Sequence, residues 1–178
     1  MNQTVYLAPL RSEDSPTLFE WINDRSLVIL SAPYHPVDDQ AHHNWFERVT
    51  RRSDLQIFAI RASHDDQLVG TCQLHSINAV ARSSELQIRL GSTPNRRKGM
   101  GTDAVRQLLA FGFRDLNLHR IHLHVLSDNA VAIRTYLKNR FRHEGTLKEA
   151  AFIDGEYRDV SMMAILRPEW VVGSACDG

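Results

Sequence analysis

A cluster of cations and glycines in the middle of the chain predicts a binding site for an anion. Residues 96–98 are Arg-Arg-Lys, and Gly99 and Gly101 follow, where the absence of a Cβ allows a ligand to approach the backbone closely. The apolar pattern from about Thr102 predicts a helix, whose free N–H groups and positive dipole end would point at the same place. Together these features are typical of a phosphate-binding loop.

Two familiar phosphate-binding motifs do not match this loop. A P-loop requires G-x-x-x-x-G-K-[ST], but the residue five positions after Gly91 is Arg96. The dinucleotide pattern G-x-G-x-x-G/A is met by Gly99, Gly101 and Ala104, yet it belongs at the first strand–helix turn of a chain, and here four predicted strands precede it. The remaining pattern is R/Q-x-x-G-x-G/A between a strand and a helix, which begins at Arg96.

The elements that must position this loop predict one domain of class α/β (α+β). Alternating polarity places Glu85, Gln87 and Arg89 on one side of the strand before the loop. Turn residues and periodicity give the order β-α-α-β-β-β-α-β-α-β-β, which corresponds to a mixed sheet with helices against it. We expect a single domain over residues 1–170 and a frayed tail over 171–178. The predicted strands cover residues 4–10, 55–62, 68–74, 84–91, 120–126, 141–152 and 156–166, and the predicted helices cover about 15–24, 36–52, 102–117 and 128–139.

The composition narrows the possible partners and the location. Lys plus Arg and Asp plus Glu number 21 each in 178 residues, so nothing global indicates a nucleic-acid or membrane partner. The two cysteines, Cys72 and Cys176, form no disulfide framework, and His122 and His124 have no evident acidic or cysteine partner, so no metal site is expected. The N-terminus lacks the features of a signal peptide and no apolar run approaches the ~20 residues that span a bilayer, which favours a cytoplasmic location.

Three segments, in this order, resemble the GNAT superfamily of acyl-CoA-dependent N-acetyltransferases: "SSELQIRLGSTPNRRKGMGTDAV", "LNLHRIHLHVLSDNAVAIRTYLKNRF" and "DGEYRDVSMMAIL". The resemblance extends from about Val5 to Leu166 and is closest to the branch of ribosomal-protein alanine acetyltransferases and spermidine acetyltransferases. It implies a mixed, mostly antiparallel sheet flanked by helices, with a splayed strand pair that holds acetyl-CoA as co-substrate. In this family the loop from Arg96 to Gly101 binds the pyrophosphate of coenzyme A.

Two positions depart from the pattern of this branch. Arg97 and Arg140 stand where the branch often has glycine. Arg97 would add a contact to the phosphates or remain a solvated charge, and Arg140 would change the turn after the preceding helix.

The resemblance also implies roles in the chemistry. Transfer of acetyl to an amine requires removal of a proton from an ammonium with a pKa near ~10, and it benefits from a proton donated to the departing thiolate. Glu85 is the candidate base, directly or through a water molecule, and Tyr136 is the candidate general acid. Asn129 lies seven residues before Tyr136, on the same helical face, and would contact the cofactor. A backbone N–H of the strand 88–90 would polarise the acetyl carbonyl. The residues assigned to acetyl-CoA are Ile88, Arg89, Leu90, Arg96, Arg97, Lys98, Gly99, Met100, Gly101, Thr102 and Asn129.

The sequence leaves the acceptor open. Trp21, Asp24, His43 and Trp45 lie on the first two predicted helices, which wall the acceptor pocket in the resembling family, so they are candidate substrate-binding residues. A small-molecule amine is favoured, namely a polyamine, an amino sugar or an aminoglycoside. The alternatives are the N-terminal alanine of a ribosomal protein and a non-catalytic CoA-binding module. A homodimer is expected because two-fold assemblies are common.

Overall fold

Seven strands form one mixed sheet in the computed structural model, which describes residues 3–49, 51–91 and 99–174, with the backbone alone for 171–174. The strands are β1 (Val5–Ala8), β2 (Leu55–Ala62), β3 (Leu68–Asn78), β4 (Ser83–Leu90), β5 (Arg120–Leu126), β6 (Arg142–Ile153) and β7 (Glu156–Leu166). Their order in the sheet is β1-β2-β3-β4-β5-β7-β6. Every neighbouring pair is antiparallel except β4 and β5, which are parallel. The mixed, mostly antiparallel sheet expected from the sequence is confirmed.

Six helices accompany the sheet within the described ranges: α1 (Ser15–Asn23), α2 (Arg25–Val28), α3 (Asp39–Val49), α4 (Met100–Ala110), α5 (Ala130–Lys138) and α6 (Arg167–Ser174). The sequence predicted four of them and missed α2 and α6. The four residues of α2 are too few to show a periodic pattern. At the start of α6 the Glu169 carboxylate accepts a hydrogen bond from Leu166 N (2.9 Å), which caps a helix where a frayed tail was expected. Residues 171–174 are therefore helical, and residues 175–178 lie outside the described part of the chain.

The hydrophobic core lies between α4 and one face of the sheet. Leu86 of β4, Ile121 of β5 and Leu108 of α4 are all at most 2% exposed. The apolar stripe of α4 continues to Gly112, in a π-helical turn over Phe111–Asp115. A Cβ at Gly112 would lie 2.7 Å from Ile121 Cδ1, so glycine allows the close packing that the sequence indicated.

The strands β4 and β5 pair over only a short distance and then separate. Their parallel register joins residues 83–85 to residues 120–122, and within the described ranges no pairing follows between residues 86–90 and 123–126. On the other side of β4 the pairing with β3 continues to Leu90, and Gly91 N still donates to Val69 O (3.0 Å). Because backbone groups alternate along a strand, the N–H of Ile88 points toward β5, into the opening. The sheet thus has the splayed strand pair expected from the sequence.

Candidate active site

A cavity of about 300 Å³ occupies the opening between β4 and β5 and passes from one face of the sheet to the other. Glu85 and His124 line it on the face covered by α1 and α3. Ile88 and Tyr136 line it on the α4 and α5 face, and Asn129 lies at its edge. Both predicted catalytic residues and two of the predicted cofactor residues therefore border one space, although they come from β4 and from α5 with its N-cap.

Glu85 lies among imidazole groups. Its Oε1 accepts a hydrogen bond from His124 Nδ1 of β5 (2.8 Å), and its Oε2 lies 4.0 Å from His75 Nε2 of β3. His75 is the cross-strand partner of Glu85 on β3, and His122 is its partner on β5. Burial lowers the pKa of His122, whose Nδ1 is buried with no hydrogen-bond partner in the described part of the chain. The carboxylate is a quarter exposed, so an amine in the cleft can reach it.

The Tyr136 side chain is buried in the wall of the cleft. It is 6% exposed, and its ring packs edge-on against Phe141 with a centroid distance of 5.7 Å. Burial raises the pKa of its hydroxyl to about 12, which keeps the group protonated at neutral pH. The backbone after it forms a Schellman ending, in which Phe141 N donates to Tyr136 O (3.1 Å) and Arg140 N donates to Leu137 O (2.9 Å).

The αL position of this helix ending is occupied by Arg140, with φ of +67°. Glycine adopts this conformation with little strain, whereas a residue with a Cβ does so at a cost. The turn expected to change at this position keeps the geometry that glycine would favour, and Arg140 carries the strain.

Asn129 is the N-cap of α5. Its Oδ1 accepts from Ala132 N (3.1 Å), and its Nδ2 donates to Leu30 O (3.2 Å) in the segment after α2. Both ends of the amide thus hold the helix start at the rim of the cleft, and the contact to acetyl-CoA expected from the sequence stays a prediction.

The phosphate-binding loop is described only from Gly99 onward. Gly99 has φ of +80° and is the N-cap of α4, a conformation that favours glycine. A Cβ on Gly101 would lie 3.4 Å from Leu90 Cδ1, so this glycine faces the end of β4. Met100 is 4% exposed and packs in the core, and Thr102 O accepts a hydrogen bond from Asn139 Nδ2 (3.2 Å). The predicted phosphate contacts of Arg96, Arg97 and Lys98 lie outside the described residues.

A second cavity, of about 350 Å³, lies between the sheet and the helices α1 and α3. The Arg89 side chain lines it, on the face of β4 opposite α4. The strand alternation that exposes Ile88 to the cleft directs the Arg89 side chain to the other face, and the contact of Arg89 with the cofactor stays a prediction. Gln87 lines both this cavity and the cleft, so the two spaces adjoin along β4.

Comparison with known proteins accounts for this arrangement. Residues 4–142 match the family model described as acetyltransferase (GNAT) domain. The chain belongs to the GNAT acetyltransferase family. A spermidine N(1)-acetyltransferase of Vibrio cholerae serotype O1 is 38% identical over 173 residues, which cover 96% of this chain and 98% of the relative. An L-amino acid N-acetyltransferase of Escherichia coli K12 is 33% identical over 132 residues, 73% of this chain and 77% of the relative.

A solved structure gives the same result for the fold of this acetyltransferase. The crystal structure of spermidine N-acetyltransferase from Vibrio cholerae in complex with CoA and spermine superposes with a TM-score of 0.86 and 28% sequence identity, covering 96% of this chain and 99% of that one. This GNAT chain is an acetyl-CoA-dependent N-acetyltransferase, and acetyl-CoA is its co-substrate. Of the helices in the described ranges, none is long and apolar enough to cross a membrane.

The candidate substrate-binding residues lie on or beside α1 and α3, and two of the four line the second cavity. Trp21 and Trp45 line the cavity beside Arg89. Asp24 instead caps α2, where its Oδ1 accepts from Ser26 N (2.9 Å). His43 is exposed and lies 3.3 Å from the Glu47 carboxylate. Neither residue lines this cavity, and their substrate contacts stay predictions.

Three histidines that were not among the predicted site residues border the site, namely His42, His75 and His124. His42 is 4% exposed, lines the cavity with Trp45, and its Nε2 lies 3.0 Å from Ser15 O. His42 lies three residues before Trp45, so both side chains are on one face of α3. His43 lies two residues before Trp45 and is therefore on a different face. His124 had been considered only as half of a metal pair. Among the described residues no cluster of three or more His, Cys, Asp or Glu side chains is arranged to hold a metal ion.

Proposed function

We propose that this acetyltransferase acts on a primary amine of a small molecule, with Glu85 as the base and Tyr136 as the donor to the departing sulfur. The observation that supports this assignment is the shared cleft, which Glu85 borders on one face of the sheet and Tyr136 on the other. A ternary complex can form there, because acetyl-CoA enters from the α4 side and the amine from the α1 and α3 side.

The amine proton follows a short route in this proposal. Glu85 accepts it as the nitrogen attacks the thioester, directly or through a water molecule. The hydrogen bond from His124 orients the carboxylate, and the His124 side chain, 37% exposed, offers an onward path to solvent. His124 is therefore a positioning residue for Glu85.

The acetyl carbonyl and the leaving sulfur need a donor each. The Ile88 N–H points into the opening between the strands and would bind the oxygen as negative charge develops on it. Tyr136 would donate a hydrogen bond to the sulfur as the thiolate departs. Its raised pKa makes it a persistent donor rather than a strong acid.

A thiol-release assay with acetyl-CoA and a panel of amines tests this function. The panel contains spermidine, amino acids, amino sugars, an aminoglycoside and an alanine-initiated peptide. We expect turnover with a small amine, and a fall in kcat of roughly 10²- to 10⁴-fold in Glu85→Gln. Coenzyme A binding, measured by calorimetry, should be retained in this variant.

Histidine variants separate positioning from direct catalysis. His124→Gln should lower kcat less than Glu85→Gln and should alter its pH profile, because the carboxylate loses its hydrogen bond. His143→Gln, a change on the exposed strand β6, serves as the control. Full turnover in Glu85→Gln would refute the base assignment.

Two expectations about the environment of the enzyme stay predictions. The homodimer is tested by light scattering, and the surface to examine is the β6–β7 hairpin, where Phe152 and Tyr157 are 54% and 68% exposed and their tilted rings lie 4.9 Å apart. The cytoplasmic location is tested by fractionation of cells.

A further inference from the structure

The Arg89 side chain is partly exposed and lines an open-sided, mostly apolar cavity. Leu18, Trp21 and Ile22 of α1 form one wall of the 350 Å³ cavity, and Trp45 of α3 forms another. Burial lowers the pKa of Arg89, because the cavity destabilises the charged form of the side chain. The polar residues that also line the cavity are His42, Thr71, Gln73 and Gln87.

Within the described part of the chain, no carboxylate forms an ion pair with the Arg89 guanidinium. The lining of the cavity contains no Asp or Glu among the described residues, and Arg89 makes no ion pair there. The two amide side chains that line the cavity form a hydrogen bond with each other, in which Gln73 Nε2 donates to Gln87 Oε1 (2.6 Å).

Arg61, which is more deeply buried than Arg89, shows the contrast. Arg61 is 4% exposed, and its Nη2 donates to both carboxylate oxygens of Asp14, at 2.7 and 3.0 Å. Buried charges in proteins are normally paired in this way. An arginine that is held in an apolar cavity without such a partner indicates a ligand that supplies the negative charge.

We propose that the cavity is an anion subsite in which Arg89 binds a carboxylate or phosphate group carried by the amine acceptor. Arg89 and Glu85 lie four residues apart on one face of β4, so their Cα atoms are about 13 Å apart at ~3.3 Å per residue. Gln87 lies between them and borders both spaces. The substrate class is a small amine in which several bonds separate the nitrogen from the anionic group. This proposal rests on the proposed function, because Glu85 defines where the amine reacts.

The charges of the adjoining groove agree with this class. A third, open space of about 830 Å³ connects Glu85 and Gln87 to the end of α3, where Arg48, Arg51 and Arg52 line it. Arg52 donates to both carboxylate oxygens of Asp54, at 2.9 and 2.6 Å, so Arg48 and Arg51 supply the remaining positive charge. Its acidic members are Glu85, the base, and Glu47, which lies 3.3 Å from His43 Nε2. A polyamine with two or more positive charges would face these cations, whereas an amine that carries a negative group would be attracted to them.

The test compares amines that differ only in the anionic group. We would measure kcat/KM by thiol release for 6-aminohexanoate, hexylamine and 1,6-diaminohexane, and for glucosamine 6-phosphate beside glucosamine. The wild-type enzyme should prefer the anionic member of at least one set by roughly 10- to 100-fold, the effect of one charge-assisted hydrogen-bonded pair. Arg89→Met should abolish that preference and Arg89→Lys should keep part of it. Arg142→Met, at an exposed arginine on β6, is the matched control and should keep the whole preference.

The outcomes distinguish a failure of the anion subsite from a failure of the proposed acetyltransferase function. Turnover of neutral amines or spermidine at least as fast as of the anionic amines would overturn the subsite and leave the acetyltransferase intact. Inorganic phosphate and acetate, added without acceptor, distinguish a site for free anions from one for the acceptor. Stabilisation by these ions equal to that by the anionic amines would overturn the acceptor assignment.

Thermal shifts keep the subsite testable if no amine is acetylated. Stabilisation of the wild-type protein by 6-aminohexanoate or glucosamine 6-phosphate, absent in Arg89→Met, would then support the subsite alone. Equal shifts in both proteins would overturn it.

Discussion

Replacement of Tyr136 by phenylalanine removes one hydroxyl group from the wall of the cleft and leaves its packing in place. The ring is 6% exposed and contacts Phe141 edge-on, and phenylalanine keeps that contact. The Schellman ending that follows depends on backbone groups alone, so the variant should fold as the wild type does. Any change in the reaction can then be assigned to the missing hydroxyl.

The size of the effect follows from the raised pKa. With Tyr136 at about 12 and an ordinary thiol near ~8.5, complete proton transfer to the thiolate is uphill by about 3.5 units, or about 5 kcal/mol. A hydrogen bond from the neutral hydroxyl to the developing thiolate avoids this cost, and such bonds to charged groups contribute about 1.5–3 kcal/mol. We therefore expect kcat to fall about 10- to 150-fold in Tyr136→Phe, with less than about 3-fold change in acetyl-CoA affinity.

Thiol release at saturating acetyl-CoA measures this kcat, and calorimetry measures the affinity. The ratio of wild-type to variant kcat should stay constant from about pH 7 to pH 10, because the hydroxyl remains protonated over that range. Tyr157→Phe, at an exposed tyrosine of β7, is the matched control. A loss confined to acetyl-CoA binding, or a ratio that collapses near pH 9, would refute the reasoning.

Three further changes test the packing and charges that support the site. Arg140→Gly should relieve the αL strain and stabilise the protein by about 1 kcal/mol, seen as a rise in Tm of about 2–4 °C; an unchanged or lower Tm would contradict this. Gly91→Ala should lower the free energy of unfolding by about 1–3 kcal/mol in urea titrations, since its Cβ would lie 2.1 Å from the Trp21 ring; an unaltered midpoint would contradict it. Burial raises the pKa of Asp103, but hydrogen bonds from Arg106 and the N–H groups of Val5 and Thr4 outweigh it and hold the pKa below its usual range. That stability is present above about pH 4 and is lost as the pH falls below it, so Asp103→Asn should flatten the acid limb of the stability curve.

The sheet could be predicted from the sequence because its strands carry clear alternation. The bounds predicted for β2, β5 and β7 agree with the structure, and β3 extends only four residues further. Periodicity identifies only elements that are several turns long. The sequence did not predict α2 because its four residues make a single helical turn. The start of α6 depends on a hydrogen bond from Leu166 N to Glu169, and a contact of this kind leaves no periodic trace in the sequence.

The residues of the cleft could be predicted because each occupies a fixed place in an element. The roles of Glu85 and Tyr136 were implied by the family resemblance, together with their positions on a strand face and a helix face, and the structure brings both to one cavity. The partners of Glu85 were not predictable in this way. His124 lies 39 residues further along, and the contact depends on the parallel register of two strands, which only the folded sheet defines.

The two-residue period of β4 separates recognition of the donor from recognition of the acceptor. Leu86 and Ile88 face α4, the proposed cofactor side, and Glu85, Gln87 and Arg89 face α1 and α3, the proposed acceptor side. A substitution on the second face can change the charge that the acceptor must carry while the loop and the cleft for acetyl-CoA stay as they are. Relatives named for spermidine and for L-amino acids share this family. In the proposed subsite Arg89 is the side chain that sets the acceptor charge, and the comparison of anionic amines with spermidine decides whether this cavity or the overall similarity is the better guide to the acceptor.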